Sequence, residues 1–96
     1  MNTYKAPVRD MSFALFDVLQ VEALYEKLGI EAAQRDVMDA ALEEAAKFNE
    51  NVLAPLNSVG DREGCTHDKA TGAVKTPSGF KEAYAQFVEG GWAGIT

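Results

Sequence analysis

The chain has 96 residues, 47% of them apolar, and a formal net charge of −6. That is one small domain with a modest core, and its acidity excludes nucleic acid and anionic membranes as partners, because no basic surface is available to neutralise phosphate. A single cysteine, Cys65, excludes an internal disulfide and fits a reducing compartment. No apolar run approaches the ~20 residues of a membrane span, and MNTYKAPVRD has no apolar signal core, so the expected location is cytoplasmic.

Met1 to Ala6 reads as a loose arm. Pro7 suits the first turn of a helix, where its missing N–H is no loss. Met11, Phe13, Ala14, Leu15, Phe16, Val18 and Leu19 follow too densely for a surface helix, which predicts a short, largely buried one over about 9–19. Gln20 breaks the run. Val21, Leu24, Tyr25 and Leu28 then recur at helical spacing, with Glu22 and Glu26 outside, over 21–29, and Gly29 ends that helix. Ile30 to Arg35 is either a linker or the first turn of the next element.

The most regular stretch is Asp36 to Leu56, within a long helix expected over 34–60. Val37, Ala41, Leu42, Ala45, Phe48, Val52, Leu53 and Leu56 share one broad side. Asp36, Asp39, Glu43, Lys47, Glu50 and Asn51 take the other. Pro55 should kink or stop this helix, with Gly60 closing it. Residues 61–77 turn polar and lose the stripe, reading as a surface loop, and Asp68 to Gly72 is a candidate turn between two short extended pieces. Ser78 is the expected N-cap of a last helix over 78–89. Phe80, Ala83, Tyr84, Phe87 and Val88 form its apolar face, and Gly90 and Gly91 end it. The sequence finishes at GWAGIT as a new apolar segment begins, the pattern of an opening piece of a longer polypeptide. The expected fold class is all-α: a bundle of about four helices with one irregular loop. Phe16, Leu24, Leu42, Phe48, Val52, Phe80 and Phe87 are the expected core.

No catalytic constellation appears. Cys65 and His67 form a Cys-x-His pair, but a zinc site needs three or four ligands and no others stand at suitable spacing. A Cys–His nucleophile needs a pocket and an orienting group, which this polar loop lacks. Glu43, Glu44 and Glu50 lie on one helix without the Glu-x-x-His motifs of a di-iron bundle. Glu43 and Lys47 read as an i, i+4 surface pair. The glycines match neither G-x-G-x-x-G nor the P-loop pattern. The residues therefore nominate no catalytic, cofactor-binding or metal-binding position.

Three stretches taken together nevertheless resemble the N-terminal helical region of acyl-CoA dehydrogenases. They are YKAPVRDMSFALFDVL, EEAAKFNENVLAPLNSVGDREGC and GFKEAYAQFVEGGWAGIT. The resemblance is nearest to a bacterial branch that begins with an extra "YKAP-RD" extension. It covers nearly the whole chain, and it rests on the order and spacing of packing positions, since none of the motifs is diagnostic alone. Residues 6–29 would then be extension helices, 34–60 the long central helix, 61–77 a loop and 78–89 the last helix of a larger α-β-α flavoenzyme. The resemblance implies oxidation of the Cα–Cβ bond of an acyl-CoA to a trans-2-enoyl-CoA, with FAD as hydride acceptor and a carboxylate base. It places both the FAD site and that base in later domains, so no catalytic position carries over, and the 96 residues are expected to bind no FAD and to be inactive. It also implies three partners: the remainder of the subunit, other copies in a homo-oligomer, and the acyl-CoA, whose pocket the stretch from Phe80 to Trp92 would help to wall. The alternative from a different class is a free-standing acidic helical module for protein–protein interaction. A third reading is a small metal or thiol protein built on Cys65 and His67.

Overall fold

The structure, a computed structural model, describes residues 4–31 and 34–94. The expectations for the first three residues, for the middle of the 30–35 linker and for the last two residues lie outside that range. The described residues are mostly helical, with one two-stranded hairpin. They form two compact units, residues 4–50 and residues 51–94, and each is taken by itself.

In the first unit, α1 spans Val8–Ser12 and continues as a π-helical stretch over Phe13–Val18. Pro7 stands just ahead of the first turn, and its carbonyl accepts the Met11 N–H at 3.0 Å. Gln20 adopts φ 50°, a left-handed conformation uncommon for a side chain of its kind, and this separates α1 from α2 (Val21–Leu28). The helix α2 ends on Gly29, φ 73°, where the Gly29 and Ile30 N–H groups reach back to the Glu26 and Tyr25 carbonyls. That is the paired bonding of a Schellman end, and it needs a residue comfortable at positive φ. After the linker, α3 runs from Arg35 to Phe48. Phe16, Val21 and Ala46 are the buried apolar side chains of this unit. Above the Phe16 ring, the Arg35 guanidinium stacks 4.5 Å from the centroid, a cation–π contact.

Two expectations about this unit are corrected. Leu24 is 49% exposed and Leu28 61% exposed. The short α2 turns only its Val21–Tyr25 edge inward, and one edge of an eight-residue helix cannot also cover the Leu24–Leu28 row. On α3, Val37 and Ala41 face water, while Met38, Leu42, Ala45, Ala46 and Phe48 line the inner side. The buried stripe is thus displaced by about one residue from the expected one, since small apolar residues left the phase of the pattern loosely fixed.

A π-helical stretch over Asn49–Leu53, which begins in the first unit and ends in the second, leads into α4, Ala54–Glu63. The helix does not stop at Pro55 or close at Gly60. Pro55 sits in the first turn of α4 just past the π-type stretch, so its ring and missing N–H fall where the α-type ladder is already interrupted. Gly60 is a packing position: a Cβ there would lie 2.6 Å from Cζ of Phe80. The helix ends instead at Gly64, φ 64°. Within the region expected to be irregular, β1 (Thr66–His67) pairs antiparallel with β2 (Val74–Lys75), in the register Thr66 to Lys75 and His67 to Val74. Asp68 builds the turn. Its N–H donates to Ala73 at 2.8 Å, its carbonyl accepts from Gly72 at 2.7 Å, and its carboxylate accepts the Ala70 N–H at 2.9 Å.

The helix α5 runs from Phe80 to Glu89, followed by a 3₁₀ turn at Trp92–Gly94. Its N-cap is Gly79, φ 86°, and not Ser78. The Ser78 side chain is committed elsewhere, because its N–H and its hydroxyl both donate to the Glu63 carboxylate, at 2.7 and 3.0 Å. Ala83 and Pro77 are buried and Phe87 is half-buried. Phe80, expected in the core, is 36% exposed because only part of its ring lies on Gly60.

Candidate functional site

The residues with chemistry to offer do not converge. Cys65 is an exposed thiol, and His67 is an exposed member of β1 opposite Val74. Among the described residues no three His, Cys, Asp or Glu side chains are grouped to hold a metal ion. On α3, Glu43 and Glu44 are exposed. Lys47 meets Glu44 at 3.1 Å rather than Glu43, an i, i+3 contact in place of the expected i, i+4 one. Both spacings bring side chains together on a helix, and such exposed pairs contribute little.

Glu50 is not the solvated residue its place in the pattern suggests. Its side chain is only 22% exposed, and its carboxylate accepts the Ala6 N–H at 3.2 Å and faces the Lys5 ammonium at 3.5 Å. The N-terminal segment is thereby tied to the turn that follows α3. Similarly, Asp39 accepts the Ser12 hydroxyl at 3.3 Å and lies 3.7 Å from Arg35. Two carboxylates on the polar side of the long helix therefore pin neighbouring segments. A helical wheel shows which side they occupy but not whether a later fold element meets them there.

The Glu63–Ser78 contact was not foreseen either. It clasps the end of α4 to the start of α5 and closes the base of the hairpin. Glu63 is held below its ordinary value of 4.5, chiefly by the Ser78 N–H, then by the Ser78 hydroxyl, with Arg62 and Lys75 adding smaller attractions. The only sequence signal was Ser78 itself, whose polar side chain served equally well as a cap.

The chief surface feature is apolar. On α5, Phe80, Tyr84 and Val88 recur every four residues as one outward row, with Tyr84 68% exposed. In the first unit Phe13, Val18, Leu19, Leu24 and Leu28 are also exposed. An open depression of about 640 Å³ lies between the end of α2 and the start of α3. Glu22, Glu26, Glu31 and Asp36 line it, with Arg35 as the cation. An acidic, open hollow repels phosphate and does not enclose an organic ligand.

No protein-family model matches the chain. It is 41% identical, over 98% of its length, to 3-methylmercaptopropionyl-CoA dehydrogenase of Ruegeria pomeroyi. The chain is homologous to the N-terminal part of acyl-CoA dehydrogenases. A second such enzyme, the broad-specificity linear acyl-CoA dehydrogenase of Mycobacterium tuberculosis, is 30% identical over 96% of the chain. The chain spans only 16% and 15% of these two acyl-CoA dehydrogenases. The first alignment takes in every helix described above, and each covers a small part of its relative. No helix of the described residues is long and apolar enough to cross a membrane.

Proposed function

We propose that residues 1–96 are the opening helical domain of a flavin-dependent acyl-CoA dehydrogenase subunit and that they serve as scaffold and not as catalyst. The observation that carries this reading is the 41% identity across 98% of the chain with an enzyme of which it spans 16%. The substrate class is then an acyl-CoA, oxidised between Cα and Cβ, and the assembled enzyme works as a cytoplasmic homo-oligomer. When bound, FAD supplies the hydride acceptor. The hollow between α2 and α3 does not suit it, being open and lined by carboxylates, the wrong charge for a pyrophosphate. No step is therefore assigned to this chain's residues. Their part is to pack against the remainder of the subunit through apolar rows such as Phe80–Tyr84–Val88, which are larger and more regular than scattered exposed apolar residues.

Dye-coupled oxidation of a panel of acyl-CoAs tests the proposal. The whole polypeptide that carries these residues should reduce the dye with at least one acyl-CoA, and the 96-residue chain should reduce it with none. Turnover by the short chain, or none by the whole polypeptide reconstituted with FAD, overturns the reading.

A further inference from the structure

We propose that Asn49–Leu53 is a flexure point built into the helical run from Arg35 to Glu63. Three features that weaken an α-helix meet within seven residues. The bonding over Asn49–Leu53 is of the π type, a rare geometry that interrupts the regular ladder and concentrates at functional positions. Two residues on, Pro55 has no N–H, so the Asn51 carbonyl lacks the donor that α-helical bonding would supply four residues later. Upstream, the Asn49 side-chain amide donates to the Ala45 carbonyl at 2.8 Å, a side chain inserted into the ladder, which is a recognised cause of helix bending.

Anchoring defines where the flexure begins. Glu50 is tied to Ala6 and Lys5, and beyond it no residue of the π stretch is buried. The boundary between the two compact units falls between Glu50 and Asn51, inside the same five residues. The other π stretch, Phe13–Val18, makes an informative contrast. It holds the buried Phe16 under the Arg35 guanidinium and is followed by no proline, so it is clamped where the second is not. A weak point of this kind opens locally while the flanking turns stay protected.

Amide hydrogen exchange on the 96-residue chain tests the proposal, with Pro55→Ala and Asn49→Ala beside the parent. Amides from Val52 to Leu56 should exchange at least about tenfold faster than those of Ala40–Lys47 and Val59–Arg62. Pro55→Ala, which restores the missing donor and favours helix, should slow the middle amides to within roughly threefold of the flanks. Asn49→Ala, which removes the inserted side chain, should slow the middle amides by a smaller factor than Pro55→Ala. Even protection along the run, absence of protected flanks, or no response to Pro55→Ala each overturns it.

Discussion

Substituting Gly79 by alanine isolates how the second unit is held together. Gly79 is the N-cap of α5 at φ 86°, where an L side chain costs about 1–2 kcal/mol in the left-handed region. A Cβ built there would also lie 2.7 Å from Cδ2 of Leu56. Relieving that overlap by moving Leu56 adds roughly 1–3 kcal/mol, the usual cost of overpacking. Against these stands about 0.4–1 kcal/mol gained from restricting the unfolded chain. The net is a loss of about 1–4.5 kcal/mol, centred near 3, a large share of the ~5 kcal/mol expected at the low end for a chain of this size. It corresponds to a fall in Tm on the order of 10–20 °C. Urea titration followed by circular dichroism measures it. Gly79→Asn, which tolerates left-handed backbone better, should lose no less through the overlap but less through the backbone. In a Leu56→Ala background the alanine should cost only the backbone part, so the two substitutions should couple by about 1 kcal/mol or more. If Gly79→Ala matches the parent within about 0.5 kcal/mol, the claim that this glycine is required by both φ and packing fails.

Other consequences are as specific. Gly60→Ala should destabilise by about 1–2 kcal/mol although alanine is the better helix former by ~1 kcal/mol, because its Cβ meets the Phe80 ring; denaturation midpoints give the sign. Phe16→Ala should cost about 3–4 kcal/mol, since Phe16 is 7% exposed and stacked under Arg35. Glu63 has a depressed folded value, so its contribution is fully present above about 4.5 and is lost as pH falls through the lower folded value; Glu63→Gln should flatten the pH dependence of unfolding in that acid window. The 96-residue chain should self-associate as its concentration rises in sedimentation experiments, because the apolar rows on α5 and α2 stand open, and Tyr84→Lys should weaken that association.

Much of this was legible beforehand because it rests on local chemistry. Gln20, Gly29 and the Gly90–Gly91 pair marked helix ends that the structure keeps, and Asp68–Gly72 marked the turn it forms. What failed was non-local. Gly60 looks like a terminator until Phe80, twenty residues on, is seen to lie against it. Ser78 looks like a cap until Glu63 takes both its donors. The phase of the α3 stripe was ambiguous because Ala41, Ala45 and Ala46 fit several wheels equally well, and only tertiary packing chose among them. Leu24 and Phe80 were assigned to the core by residue type, yet a chain this small buries few large side chains. The family relation was legible from the order and spacing of three segments, and no catalytic residue could be drawn from it.

The central claim is that this helical domain opens an acyl-CoA dehydrogenase, and the most direct test is the visible spectrum of the native gene product. The account predicts a polypeptide about six times the length of this chain, in line with the 16% share of its relative, yellow from bound flavin and bleached on anaerobic addition of an acyl-CoA. A colourless native product of 96 residues, or a longer one whose flavin band no acyl-CoA bleaches, would contradict it.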